Sequence, residues 1–289
     1  MMPKNESEKR ENNSFKFYGY FGIAVIVVAE VLLFLKVPLI GVYFTPIVWT
    51  GYILFIDAVI YRYRGSSYIT SRRRELAIML PWSVISWFIF EGYNLFMTNW
   101  KYYNLPDNLF LRWTGYIWSF ATIFPAILET AELIDLTGVF RKVKISKFIP
   151  SARGLKITFL TGLIFLVFPF LVSTAVARYL FVLVWFGFIF LLEPINFSIG
   201  GRSIIHRLRK GNVDIILNLF AAGLICGILW EFWNYWADTK WKYDVPLPLG
   251  FRVFEMPILG YLGFLPFAVE CYSMQNFIMV VKDKFFNRV

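Results

Sequence analysis

Histidine occurs once in 289 residues and cysteine twice, which leaves almost nothing to hold zinc, haem or a di-iron centre. That scarcity excludes the histidine-cluster membrane desaturases and hydroxylases on ligand count, and no metal or cofactor is expected. An aspartate-rich D-D-x-x-D run for magnesium pyrophosphate is missing, so a prenyl-transferase reading lacks its metal site. Neither a P-loop nor G-x-S-x-G is present. Lysine is absent from the interior of the apolar runs, so a retinal Schiff base has nowhere to form. Cys226 and Cys271 both fall inside such runs, where two reduced, packed thiols are expected rather than a disulfide.

What the chain has in abundance is apolar surface. Hydrophobic residues make up 58%, aromatics 20%, and the mean hydropathy is +0.59. Eight runs are long enough to cross ~30 Å of hydrocarbon as helices: 18–36, 41–61, 76–98, 113–135, 155–174, 177–198, 212–236 and 254–280. The break between the fifth and sixth is the shortest. The runs are continuous and show no dyad alternation, which favours helices over barrel strands.

The net charge of +10 reflects orientation rather than nucleic-acid binding, because the basic residues cluster between runs. With the N-terminus inside, 22 of the 29 basic residues lie on the inner side. Lys36, Lys101, Arg112, Arg178, Lys240, Lys242 and Arg252 remain outside. Both termini are therefore expected in the cytoplasm, in a bacterial-type inner membrane. Residues 1–17 show no small-residue cleavage pattern, so the first run is expected to be a retained anchor.

One stretch organises the rest. From Trp230 it reads W-E-F-W-N-Y-W, with Glu231 deep in an apolar run and Asn234 on the same face. Trp241 and Tyr243 follow, then Arg252, then Pro266 and Glu270. The same grammar appears 140 or 141 residues earlier, in Glu91, Asn94, Trp100, Tyr102, Arg112, Pro125 and Glu129. V-W-T-G-Y-I-L-F-I-D, ending at Asp57, aligns with V-W-F-G-F-I-F-L-L-E, ending at Glu193, at an offset of 136 that Gly65 and Gly201 share. The reading is an all-α polytopic membrane protein of two parallel four-helix repeats. It divides into a tail over 1–17, repeats over 18–138 and 155–281, a basic cytoplasmic linker over 139–154, and a tail over 282–289.

Carboxylates inside apolar spans are costly and are functional candidates by default. Glu91 and Glu231 lie roughly 8 Å below the outer helix ends at 1.5 Å per residue. Asp57, Glu193, Glu129 and Glu270 lie roughly 24 Å down by the same rise. Within each half, Asp57 is expected to meet Glu129, and Glu193 to meet Glu270. With no basic residue at that depth, each acid is expected to be protonated, bonded to Asn, Tyr or Trp, or reached by a loop arginine. Two readings stay open: polar glue between helices, or a catalytic set. Glu132, near the inner interface, reads as an exposed anion, and Glu30 has no counterpart in the fifth run.

Around the acids, Asn94, Asn234, Trp230, Trp233, Tyr243, Arg112 and Arg252 are candidate substrate contacts. Aromatic faces attract cationic character, either in a bound ammonium or in a developing carbocation. Arginine suits a carboxylate or a lipid phosphate. Pro125 and Pro266, each four residues before an acid, are expected to kink their helices.

Trp100-Lys101-Tyr102 with Pro125-Ala126-Ile127-Leu128-Glu129, and Trp241-Lys242-Tyr243 with Pro266-Phe267-Ala268-Val269-Glu270, carry a family resemblance. The pattern resembles the integral-membrane lycopene cyclase domains and carotenoid hydratases, which carry Pro-x-Glu-Glu where this chain spaces Pro and Glu four apart. The resemblance implies acid-catalysed proton addition to a polyene without a metal. The chain is also similar to bacterial polytopic membrane proteins with W-E-F-W-N-Y-W and P-F-A-V-E, a likeness that implies no activity. Three functions follow from the residues: a metal-free enzyme acting on an apolar lipid or isoprenoid, a proton-coupled carrier or channel, or a scaffold. Membrane lipids and an apolar substrate are the expected partners.

Overall fold

Backbone polar groups in hydrocarbon must find partners within the chain, and the eight apolar runs satisfy theirs as helices. The computed structural model describes residues 13–245 and 251–285; Lys4, Lys9, Arg10 and Arg288 of the charge count lie outside these. In order the chain forms α1 (Phe17–Phe34), α2 (Pro38–Arg64), α3 (Arg73–Met97), β1 (Trp100–Tyr103), α4 (Leu109–Ala121) and α5 (Ile123–Thr137). Then come α6 (Ala152–Val167), a short 3-10 turn, α7 (Thr174–Ala177), α8 (Phe181–Ser198), α9 (Ile204–Leu208) and α10 (Asp214–Trp236). β2 (Lys240–Tyr243), β3 (Arg252–Val253), β4 (Met256–Pro257), the 3-10 stretch Ile258–Gly263 and α11 (Phe264–Phe285) complete it. Among the described residues, eight helical segments are long and apolar enough to cross a membrane, with α4 and α5 counted as one. The fifth and sixth are separate.

The interior is built from α2, α5, α10 and α11, while α1 lies against α2 and α6 against α8. Glycine permits both outer contacts. A Cβ on Gly22 of α1 would meet Gly51 O of α2 at 2.5 Å, and one on Gly162 of α6 would meet Gly187 O of α8 at 2.8 Å. Both pairs are places where backbones approach too closely for any side chain. Gly22 and Gly162 stand 140 apart, and Gly51 and Gly187 stand 136 apart. The turns beyond α2 and α8 do not keep the expected register, because Gly65 is left-handed at φ 73° while its counterpart is Gly200 at φ 79°, not Gly201.

The proline positions break the helix rather than bend it smoothly. Helix α4 ends at Ala121 and α5 begins at Ile123, so Pro125 sits in the first turn of a new helix. Proline has no N–H to give to the preceding turn. Ser83 of α3 mends part of the gap: its hydroxyl donates to Phe120 O at 2.5 Å and accepts from Phe124 N at 3.1 Å. In the second half, Pro266 likewise stands in the first turn of α11, after the 3-10 stretch. The basic linker runs along the end of α9 and the segment between α9 and α10, where Ile145 N donates to Gly211 O and Phe148 N to Leu208 O.

Candidate functional site: an aromatic chamber beneath a two-stranded ribbon

The C-terminal ends of α3 and α10 are each followed by a strand, and the two strands pair antiparallel across the molecule. Trp100 faces Tyr243, Lys101 faces Lys242, and Tyr102 faces Trp241. Shifting β1 by 141 residues maps this register onto itself, as a two-fold contact requires. Asparagine fixes each strand to its helix. Asn94 accepts from Asn99 N and Trp100 N and donates to Trp100 O at 2.9 Å. Asn234 accepts from Trp241 N and donates to Trp241 O at 2.8 Å. Both carboxamides are occupied by backbone, so they clamp the ribbon and are not free for a substrate.

Strand alternation turns Trp100, Tyr102, Trp241 and Tyr243 inward. Beneath them lies a cavity of about 550 Å³ whose wall also includes Trp49, Trp87, Tyr116, Phe120, Trp185, Trp230 and Phe267. Its size is within the ~300–1,000 Å³ usual for a small-ligand site. Edge-on and tilted ring contacts knit the wall, with Trp87 5.7 Å from Trp230 and Trp230 5.6 Å from Trp241.

Behind this wall stand the two upper acids. Glu91 Oε1 accepts from Tyr102 OH at 2.5 Å, Trp87 Nε1 at 2.9 Å and Trp100 Nε1 at 3.1 Å. Glu231, fully buried, accepts from Tyr243 OH at 2.8 Å, and that hydroxyl accepts from Trp241 Nε1. The halves differ for a residue-level reason. Where the first half has Trp87 one turn before its acid, the second has Gly227, and Phe264 fills the space. Glu231 thus loses one indole donor, the other indole, Trp241, turns to the Tyr243 hydroxyl, and the Glu231 Oε2 is buried with no partner. Burial, then the neighbouring carboxyl, pushes the Tyr102 and Tyr243 hydroxyls well above the usual phenol range.

The six candidate acids do not converge on one pocket. Asp57 and Glu193 are engaged by the segments that follow α2 and α8 and by one neighbouring helix each. Asp57 accepts from Tyr18 OH, Ser67 Oγ and Ile69 N, and Glu193 from Ser203 Oγ, Ile204 N, Ile205 N and Ser273 Oγ. Ser67 and Ser203 again stand 136 apart, as do Ile69 and Ile205. Glu129 and Glu270 form the third pair, fully buried in α5 and α11 with both oxygens of each unpartnered. Asp57 is an electrostatic neighbour of Glu129, as expected. Glu193 instead meets Ser273, one turn beyond Glu270.

Other expectations need correction. Glu132 is no exposed anion, because Arg72 grips both its oxygens at 2.6 Å and Arg64 adds a contact at 3.0 Å. Burial acts against the Arg72 charge, yet the bond and attraction to Glu132 prevail and hold the guanidinium above its usual range. Trp233 faces away from the chamber, 5.0 Å from Trp49, and donates to Glu30 at 3.0 Å. Arg252 donates to Tyr243 O and Glu255 O, and Arg112 to Pro106 O, so neither pairs with an upper acid. Trp230, Tyr243 and Arg112 do line the chamber.

A second cavity of about 420 Å³ opens at the other end, among Arg64, Glu75, Glu132, Asp135, Arg202, His206 and Gln275. Fold and cavities together define a multi-pass helical membrane protein with an aromatic-lined chamber. No family model, curated protein or solved structure matches the chain.

Proposed function

We propose that this protein is a metal-free acid/base enzyme of the membrane that takes an apolar, lipid-like or isoprenoid molecule into the aromatic chamber. The observation that carries the reading is the Glu231–Tyr243 pair: a buried carboxyl with one spare oxygen, bonded at 2.8 Å to a hydroxyl in the chamber wall. Neither Glu231 nor Glu91 lines the chamber, so a proton reaches a substrate only through tyrosine. In the reactive form Glu231 is protonated and donates to the Tyr243 oxygen, the reverse of the resting bond. The Tyr243 O–H proton then passes to a substrate double bond as the Glu231 proton moves to the tyrosine oxygen. A new C–H bond forms, the cation rests against the indole and phenyl faces, and Glu231 is left as carboxylate. Loss of a proton from a neighbouring carbon back along the same path closes the cycle. Such a reaction is redox-neutral, an isomerisation or ring closure.

Glu91, held by three donors, positions Tyr102 and Trp100 in the opposite wall. Asp57 and Glu193 act as loop clamps. The recurrence of glycine contacts, asparagine clamps, acid–tyrosine pairs and loop-capping acids supports a duplicated unit over 18–138 and 155–281. The basic residues beside the second cavity support placing that end, and both termini, in the cytoplasm of an inner membrane. The test is lipid mass spectrometry on membranes with and without the protein. A lipid isomer should appear with the wild type and vanish with Glu231→Gln; an unchanged product in that variant would refute the assignment.

A second reading, proton-coupled transport, is favoured by one observation. Unpartnered Glu129 and Glu270 are carried on the helices that line both the outer chamber and the polar inner cavity. Proton flux into vesicles that depends on both residues would favour it.

A further inference from the structure

The proposed function leaves the polar end of the substrate open, and the charges of the chamber wall address it. Among the described residues, the wall holds three cationic side chains, Arg112, Arg178 and Lys240, and no Asp or Glu. Arg178 pairs with Asp244 at 2.8 Å, whereas Lys240 donates to Tyr235 O and stands over that ring. Of the two without a carboxylate partner among the described residues, only Arg112 presents a planar guanidinium. Its Nε donates to Pro106 O at 2.9 Å, which fixes the guanidinium plane, and no carboxylate pairs with it among the described residues. No hydrogen bond from the described residues engages its two Nη groups, and Arg112 itself lines the chamber.

A planar guanidinium held at one nitrogen and open at the other two is arranged for bidentate contact with an oxyanion. The other possible reading of an aromatic chamber, capture of a quaternary ammonium, fails on charge. Such sites rely on aromatic faces without competing cations, whereas here an unpaired arginine stands in the wall. A neutral hydrocarbon would leave Arg112 half-desolvated and without a partner, which is costly.

Resting on the proposed function, we infer that the ligand is an amphipath with an anionic head, a carboxylate or a phosphate, held by Arg112 while its apolar chain lies among the chamber tryptophans. The cavity of about 550 Å³ has room for an apolar chain. Lipid with an ionised head at the outer leaflet and a free soluble phosphate present the same oxyanion. Only the first has a chain to fill the chamber.

The tryptophans supply the readout. Purified protein in discs of zwitterionic lipid is titrated with a brominated fatty acid, with its methyl ester, and with each in competition against a prenyl phosphate, a prenyl alcohol or inorganic phosphate. Bromine quenches indole fluorescence on contact. The acid should bind about tenfold more tightly than the ester, the effect of one charge-assisted contact. That advantage should shrink as salt is raised. Prenyl phosphate should displace the probe better than prenyl alcohol, and inorganic phosphate should not displace it. Arg112→Gln should abolish the advantage while leaving ester binding intact, and Arg178→Gln, whose guanidinium is already paired, should retain it.

Equal binding of acid and ester in the wild type, with no salt dependence, overturns the inference while leaving the chamber as a site for neutral lipid. Retention of the preference in Arg112→Gln overturns the assignment to that residue. Quenching by neither probe removes the apolar site itself, and the proposed function falls with it. The wild-type comparison needs no variant to fold.

Discussion

The hydroxyl of Tyr243 lies 2.8 Å from Oε1 of Glu231, and Tyr102 stands to Glu91 in the same way at 2.5 Å. In both cases the tyrosine faces the chamber and the acid does not. The pairs are equivalent in design and unequal in detail, since Glu91 Oε1 takes three donors whereas Glu231 takes one and keeps a fully buried Oε2 without a partner.

Replacing either member of the second pair separates chemistry from stability. Glu231→Gln keeps an acceptor for Tyr243 and should leave the melting temperature nearly unchanged, while lowering turnover by about 10²–10⁴-fold, the usual share of a general acid. Tyr243→Phe should lower turnover as far and also destabilise the fold by about 1–3 kcal/mol, because it strands the Trp241 indole and Glu231. Thermal melts in detergent alongside the lipid assay check both.

The loop-capping acids should behave in the opposite way. Glu193→Ala removes the acceptor of two hydroxyls and two backbone amides and should cost on the order of 3 kcal/mol, with α9 the first element to exchange its amide hydrogens. Protein that folds at low temperature should keep its turnover. A fully stable Glu193→Ala protein would contradict the clamp.

Ser83 offers a test of the broken span. Ser83→Ala leaves Phe120 O and Phe124 N unpaired in a dry interior and should destabilise by about 1–3 kcal/mol. Ser83→Thr, which keeps the hydroxyl, should recover part of the loss in chemical denaturation.

Alkaline pH gives a prediction with a defined sign. The folded-state pKa values of Tyr102 and Tyr243 stand above that of an unfolded tyrosine, so both bind their protons more tightly when folded. Their contribution to stability is complete below the unfolded value of about 10 and declines as pH rises above it. Phenolate absorbance from these two should therefore appear together with unfolding, and a titration near the ordinary phenol value in intact protein would contradict the buried pairs.

Much of this architecture was legible in the residues. Hydropathy located all eight spans to within a few positions, because a helix in lipid must be long, apolar and continuous. The recurrence of Glu-x-x-Asn marked the C-terminal ends of α3 and α10. What Asn94 and Asn234 do there was not legible, since their partners are backbone groups of a strand that folds back over the helix. Glu132 read as exposed because Arg72 and Arg64 come from neighbouring elements, and Glu30 read as isolated because Trp233 is 203 positions away. Trp49, Trp87 and Trp185 escaped notice for a related reason: in an apolar run a cavity-lining tryptophan has the same spacing as a packed one. The Trp87 and Gly227 difference could have been found by aligning the halves, and it is what makes the two acids unequal.

The most direct measurement is native mass spectrometry of the purified protein with lipid identification. Gly115 lies in the chamber wall, and a Cβ there would meet only the Tyr43 ring at 3.4 Å, so Gly115→Leu should fold and occupy part of the chamber. An apolar ligand bound to the wild type and lost from Gly115→Leu at equal melting temperature is the result expected. A wild type that carries no such ligand, or a variant that retains it in full, would contradict the account.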